Sequence, residues 1–125
     1  MAHLAFPTYL SLQIEDLGSQ FLLRESDVGL NRAAASLRKL QELNFYVSVD
    51  ANEEPLTAAT LANLKSYNVV MLTDATLALA LEVNDYCRAH GILFIWTGIA
   101  GVFGHIFVDF GPTFEVLDKD GLYKS

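Results

Sequence analysis

Leu10 to Ser36 reads LSLQIEDLGSQFLLRESDVGLNRAAAS, and this stretch decides how the rest of the chain is understood. Leu10, Leu12 and Ile14 alternate with polar neighbours, which predicts a short strand ending at the acidic pair Glu15 and Asp16. Gly18-Ser19-Gln20-Phe21 then turns the chain, and Arg24-Glu25-Ser26-Asp27-Val28-Gly29 sets charges of both signs in a connecting loop. A strongly helical run follows. Strand, loop and helix in that order open an alternating α/β fold.

Working outward, Asn31 to Leu43 places Leu37, Leu40 and Leu43 on one face with Ala33 and Ala34 beside them, while Arg38, Lys39 and Glu42 stay wet. This is an amphipathic helix. Phe45 to Ala51 alternates again and predicts a strand. Asn52-Glu53-Glu54-Pro55 is a turn cluster, and Thr57 suits the N-cap of a short helix carrying Leu61 and Leu64. Asn68 to Thr73, NVVMLT, and Ile92 to Thr97 are near-continuous apolar runs, the pattern of parallel strands buried on both faces. Leu77 to Ala89 between them has helical spacing, stopped by His90-Gly91.

The last third changes character. Gly98 to Gly104 is glycine-rich, His105 to Phe110 alternates, Gly111-Pro112 turns, and Phe114 to Leu117 alternates again, so a closing hairpin is expected there. The whole predicts a Rossmann-like, doubly wound, mainly parallel sheet with a C-terminal antiparallel hairpin, over residues 10–125. Residues 1–9, with Pro7 and little pattern, read as an irregular lead-in.

Composition bounds the function. At 125 residues and 52% hydrophobic, the chain is one domain with material for a real core. A formal charge of −7 disfavours nucleic acid, whose backbone demands a Lys/Arg surplus. No apolar run approaches the roughly 18 to 20 residues that span a bilayer. Partners should be proteins or small molecules, in the cytoplasm or nucleus. The lone Cys87 excludes an internal disulfide and suits a reducing compartment.

Two motifs carry a resemblance. SQFLLRESDVGLNRA, from Ser19, resembles the segment after the second strand in the adenylation domains of ubiquitin-activating enzymes and of their bacterial ThiF/MoeB-like relatives in thiamine and molybdopterin synthesis. GVFGHIFVDFGPTFEVLD, from Gly101, resembles the end of the first, non-catalytic adenylation half of ubiquitin-activating enzymes. The resemblance runs from about Leu10 to Asp120.

It implies a part in the ATP-dependent activation of ubiquitin or a ubiquitin-like protein, as a structural half that supports a catalytic adenylation half. It implies ATP and Mg²⁺ for the complete enzyme, and neither a cofactor nor a catalytic residue for this chain alone. In the family a first strand and glycine-rich turn precede the point where this sequence begins. That strand would lie centrally, between the opening strand and NVVMLT, so its neighbours would expose unpaired edges. A homodimer, a strand-swapped dimer or a refolded N-terminal segment is the expected remedy.

The family's phosphate-binding Asn and Arg fall at Asp16 and Ser19, which replaces two donors by a repulsive carboxylate and a hydroxyl. Its lysine falls at Arg32, and its Mg²⁺-binding aspartate at or next to Asp74. Arg32 and Asp74 are thus the candidate, degenerate cofactor-binding positions. A solvated helix residue is the plainer reading of Arg32, and a helix N-cap that of Asp74. The cluster Gly98, Gly101 and Gly104 opens no helix, so it reads as a flexible link rather than a phosphate cradle.

Cys87, with His90 three residues on, has two readings: a thiol activated by histidine, or a small buried hydrophobe, and the second is favoured. His3, His90 and His105 show no ligand spacing, and no metal site is expected. Arg24, Glu25 and Asp27 suit a structural clamp with one another or with Arg32. Phe103, Phe107, Phe110 and Phe114 read as core or interface packing. Two further functions stay open, a stand-alone bacterial-type adenylating enzyme and a protein-interaction module.

Overall fold

The structure is a computed structural model and describes residues 11–115. Its centre is a three-stranded sheet in the order β1 (Val69–Thr73), β2 (Leu93–Ala100), β3 (Phe103–Asp109). β1 and β2 run parallel, with Val70 beside Phe94 and Leu72 beside Trp96, and β3 returns antiparallel to β2. Helix α1 (Arg32–Leu43) comes before the sheet, and α2 (Leu77–His90) joins β1 to β2. This is the mixed α/β architecture expected.

Local chemistry sets the boundaries. Asn31 caps α1, its Oδ1 accepting from the N–H groups of Ala33 at 2.9 Å and Ala34 at 3.3 Å. Thr76 caps α2, its Oγ1 accepting from Leu79 N–H at 3.4 Å. Gly91 ends α2 in the left-handed region at φ 68°, where a side chain would be strained. Thr57 precedes the 3-10 helix Ala58–Ser66, and Thr60 Oγ1 accepts from Thr57 N–H at 2.8 Å.

The core lies on one side of the sheet. Val70, Leu72 and Phe94 meet Ala80, Val83 and Cys87 of α2, with Leu64 and Ile92 closing the ends. Leu12, Leu22, Leu23 and Ala33 are also buried but stand outside that cluster.

Five expectations need correction. The opening strand is absent: Ser11 makes a single bridge to Asn31, and Ile14–Gly18 is a 3-10 turn. Asp16 Oδ2 accepts from Gln13 N–H at 2.8 Å, and this local bond wins where no described strand offers a ladder. Leu10 and residues 1–9 lie outside the described residues. The strand expected from Phe45 to Ala51 is likewise missing, because Asn44 Oδ1 accepts from Tyr46 N–H at 3.0 Å and turns the chain. Phe45 and Tyr46 are left 87% and 100% exposed, and Leu43, placed on the buried face by its spacing, is exposed too.

β1 is covered on one face only. Val70 and Leu72 are buried, whereas Val69 and Met71 are 49% and 58% exposed. Met71, Ile95 and Val108 form a row across the open face, with Ile106 beside it. Finally, the hairpin lies earlier than expected, between β2 and β3. Gly101 at φ 63° opens its two-residue turn with Val102, the glycine that a type II′ turn requires. Phe114 and Glu115 form no strand, and Val116 and Leu117 lie outside the described residues. No helix among the described residues is long and apolar enough to cross a membrane.

Candidate functional site

Backbone pairing brings the degenerate positions together. Leu12 N–H donates to Leu30 O and Gly29 N–H to Leu12 O, both at 2.9 Å, which draws the start of α1 against the Ile14–Gly18 turn. Across that junction Arg32 Nη2 donates to Asp16 Oδ1 at 2.6 Å. Ser19 joins them, its Oγ donating to the Asp16 carbonyl at 3.4 Å. Arg32 is thus no freely solvated helix residue: two-thirds of its side chain is covered, and its buried Nε has no partner.

The electrostatics follow. The Gln13 N–H holds the Asp16 carboxyl below the ordinary aspartate range; partial desolvation opposes it and the Arg32 guanidinium adds to it. The pair is closed and neutral. A triphosphate approaching it meets a carboxylate already holding the one cation, so these residues do not fit a nucleotide phosphate.

Asp74 stands apart. Among the described residues no hydrogen bond or ion pair joins it to Asp16 or Arg32. It is exposed at the end of β1 at φ 52°, the one non-glycine residue described with positive φ, and its N–H donates to Thr97 O at 3.1 Å. Nor does it cap α2, since Thr76 does so. No group of three His, Cys, Asp or Glu side chains able to hold a metal occurs among the described residues.

Cys87 is fully buried in the core, and burial pushes its thiol up to about 11. A protonated, enclosed thiol is no nucleophile at neutral pH. His90 is engaged elsewhere, with Nδ1 at 2.8 Å from Tyr86 O and its ring stacked on Tyr86 at 4.1 Å. His105 lies over Gly98 and packs against Trp96 at 4.3 Å between centroids; a Cβ at Gly98 would meet His105 Cε1 at 2.6 Å. Gly98 is therefore a fitted strand position, not a flexible link. Arg88 and Asp109 pair at 3.2 Å, a contact that sequence spacing gave no sign of.

Comparison with known proteins gives the context. A model of the ThiF family matches residues 11–121. The chain is 46% identical over 113 residues to ubiquitin-activating enzyme E1 2 of Triticum aestivum, covering 89% of this chain and 10% of that protein. It is 42% identical over 109 residues to ubiquitin-like modifier-activating enzyme 1 of Mus musculus, covering 87% and 10%. The chain thus spans about a tenth of the length of these curated relatives. Among solved structures it is similar in fold to E. coli MccB with SeMet MccA, at TM-score 0.71 and 23% identity, over 85% of this chain and 33% of that one.

Proposed function

The chain belongs to the ThiF family, and from that premise we propose that it is part of a ubiquitin-activating enzyme, serving as a structural, non-catalytic adenylation half. In this reading the complete enzyme activates ubiquitin or a ubiquitin-like protein with ATP and Mg²⁺. This chain supports the catalytic adenylation half and does not turn over alone. The observation that carries it is the Asp16–Arg32 ion pair, which takes up two positions where the competent family site presents donors to phosphate. The compartments suited to the role are cytoplasm and nucleus.

Calorimetric titration with ATP and Mg²⁺ tests the reading. No heat of binding at micromolar nucleotide is expected, and micromolar affinity would overturn it. Capture of the catalytic half from the same organism is the positive arm.

One observation favours a companion reading, a protein-interaction module. Among the described residues no strand pairs with the outer edge of β1, and the exposed Val69 and Met71 leave apolar surface open, which suits a homodimer or a strand-swapped dimer of the isolated chain. Size-exclusion chromatography with light scattering should give twice the chain mass. A monodisperse monomer at tens of micromolar protein removes the dimer.

A further inference from the structure

The segment around the 3-10 turn Glu25–Asp27 and helix α1 together border a cavity of about 160 Å³. Its wall is mainly polar, with Arg24, Ser26 and Asp27 from the turn and Arg38, Lys39 and Glu42 from the helix. Neither Asp16 nor Arg32 lines it. In a chain of formal charge −7, three of the eight Lys and Arg residues meet on this one cavity, so the local field runs against that of the whole.

The two carboxylates do not cancel the cations. Asp27 is engaged by its own turn, Oδ2 accepting from Arg24 N–H at 2.8 Å and Oδ1 from Ser26 Oγ at 3.4 Å. Glu42 Oε1 accepts from Arg38 Nε at 3.4 Å, but both side chains are largely exposed and such a contact holds little. The cations meanwhile keep donors to spare. Lys39 gives one N–H to Phe21 O at 3.2 Å and retains two, and Arg38 retains both of its NH₂ groups. Among the described residues no carboxylate pairs with the Arg24 guanidinium.

Spare N–H donors arriving from two elements suit a tetrahedral oxyanion better than a planar one. A carboxylate holds two oxygens in one plane, whereas a phosphate monoester turns three oxygens and nearly two charges toward donors on several sides. At about 30 Å³ per water the cavity equals roughly five waters, which is room for one phosphate group with its ester carbon toward solvent. We propose that this cavity binds the phosphate group of a small phosphate monoester, held by Arg24, Arg38 and Lys39 and by the Ser26 hydroxyl. On binding, Arg38 exchanges Glu42 for the ligand.

Backbone amides in ¹⁵N spectra of the full chain test this. At constant ionic strength, methyl phosphate and inorganic phosphate should each shift the amides of residues 24–27 and 35–42 saturably, with millimolar dissociation constants. Acetate should bind about tenfold more weakly. Parity with acetate, a drift without saturation, or equal shifts around Lys65 and Arg88 would reveal non-specific charge alone and overturn the proposal. Binding of inorganic phosphate without methyl phosphate would rule out the ester.

The turn uses the backbone N–H of Arg24 and not its side chain, so Arg24→Gln should keep the fold and weaken methyl phosphate about tenfold. Glu42→Gln releases Arg38 and should tighten binding about twofold. Unchanged affinity in either variant, or weaker binding in Glu42→Gln, counts against the site. Both variants leave the Asp16–Arg32 pair in place, and a millimolar phosphate site is distinct from micromolar ATP, so this proposal and the family reading fail separately.

Discussion

The stretch from Ser11 to Leu43 and the unit from β1 to β3 are held in different ways. The first buries a few side chains, Leu12, Leu22, Leu23 and Ala33, and otherwise relies on caps and ion pairs: Asp16 to Gln13 N–H and Arg32, Asp27 to Arg24 N–H, Asn31 to α1, and the exposed Arg38 to Glu42. The second has a continuous apolar core from Leu64 to Phe94, with α2 clamped on it. Apolar burial is non-directional and large per residue, whereas an exposed cap or ion pair contributes little and depends on geometry and pH. The difference teaches where this chain's stability resides and where it can be tuned.

The sharpest way to break that contrast is to empty each core in turn. Phe94→Ala, at a site 1% exposed, should cost about 3 to 5 kcal/mol in denaturant unfolding. It should strip hydrogen-exchange protection from β1, β2 and α2 while that of α1 falls less. Leu12→Ala should do the reverse. If both variants lower protection equally everywhere, the chain has one cooperative core and the contrast fails.

A smaller effect is expected at Gly98. Gly98→Ala brings a methyl group to within 2.6 Å of the His105 ring, which must swing off Trp96, at about 1 to 2 kcal/mol. Adding His105→Ala should recover most of the loss. A double-mutant cycle with no coupling would show that the glycine serves another purpose.

The N-terminal region should respond to acid. Its Asp16 carboxyl is held below the ordinary range when folded, so its contribution is present at neutral pH and fades as pH falls below about 4 toward the folded value. Asp16→Asn should flatten the acid limb of the thermal midpoint against pH, and an unchanged limb would show that the Gln13 N–H and Arg32 contacts do not hold this carboxylate in solution.

The smallest change is a chemical one in the second region. Cys87 should resist iodoacetamide at pH 8 in native buffer and react fully in denaturant, since its thiol is enclosed and pushed up to about 11. The same shift predicts a loss of stability above pH 9, where the unfolded thiol ionises and the folded one does not. Rapid native labelling would mean that the core opens far more readily than its packing implies.

The legibility of the sequence followed the same division. β1, α2 and β2 were readable from NVVMLT, from the Leu77 to Ala89 spacing and from Ile92 to Thr97, because each is satisfied by neighbours close along the chain. The segments around Leu12 and Tyr46 alternate just as well, yet alternation records only a capacity to pair. Without a described neighbour, the side chains of Asp16 and Asn44 bind the adjacent backbone and turn it. The same gap explains why β1, apolar at every second position on both sides, is dry on one face only.

At the candidate site, the motif around Gln20 led to Asp16, Ser19 and Arg32, but spacing could not reveal that these three close on each other. Asp74 read as a cap because an aspartate after a strand usually is one; the left-handed backbone at Asp74 hands that task to Thr76. The cavity between Arg24 and Arg38 left no trace in the pattern, since it depends on two elements meeting.

The wet face of the sheet also bears on handling. Contacts driven by expelling water from groups such as Val69, Met71, Ile95 and Ile106 weaken on cooling and strengthen in sulfate. Any assembly seated there loosens in the cold room and tightens with a structure-making salt, the opposite order from one held by ion pairs.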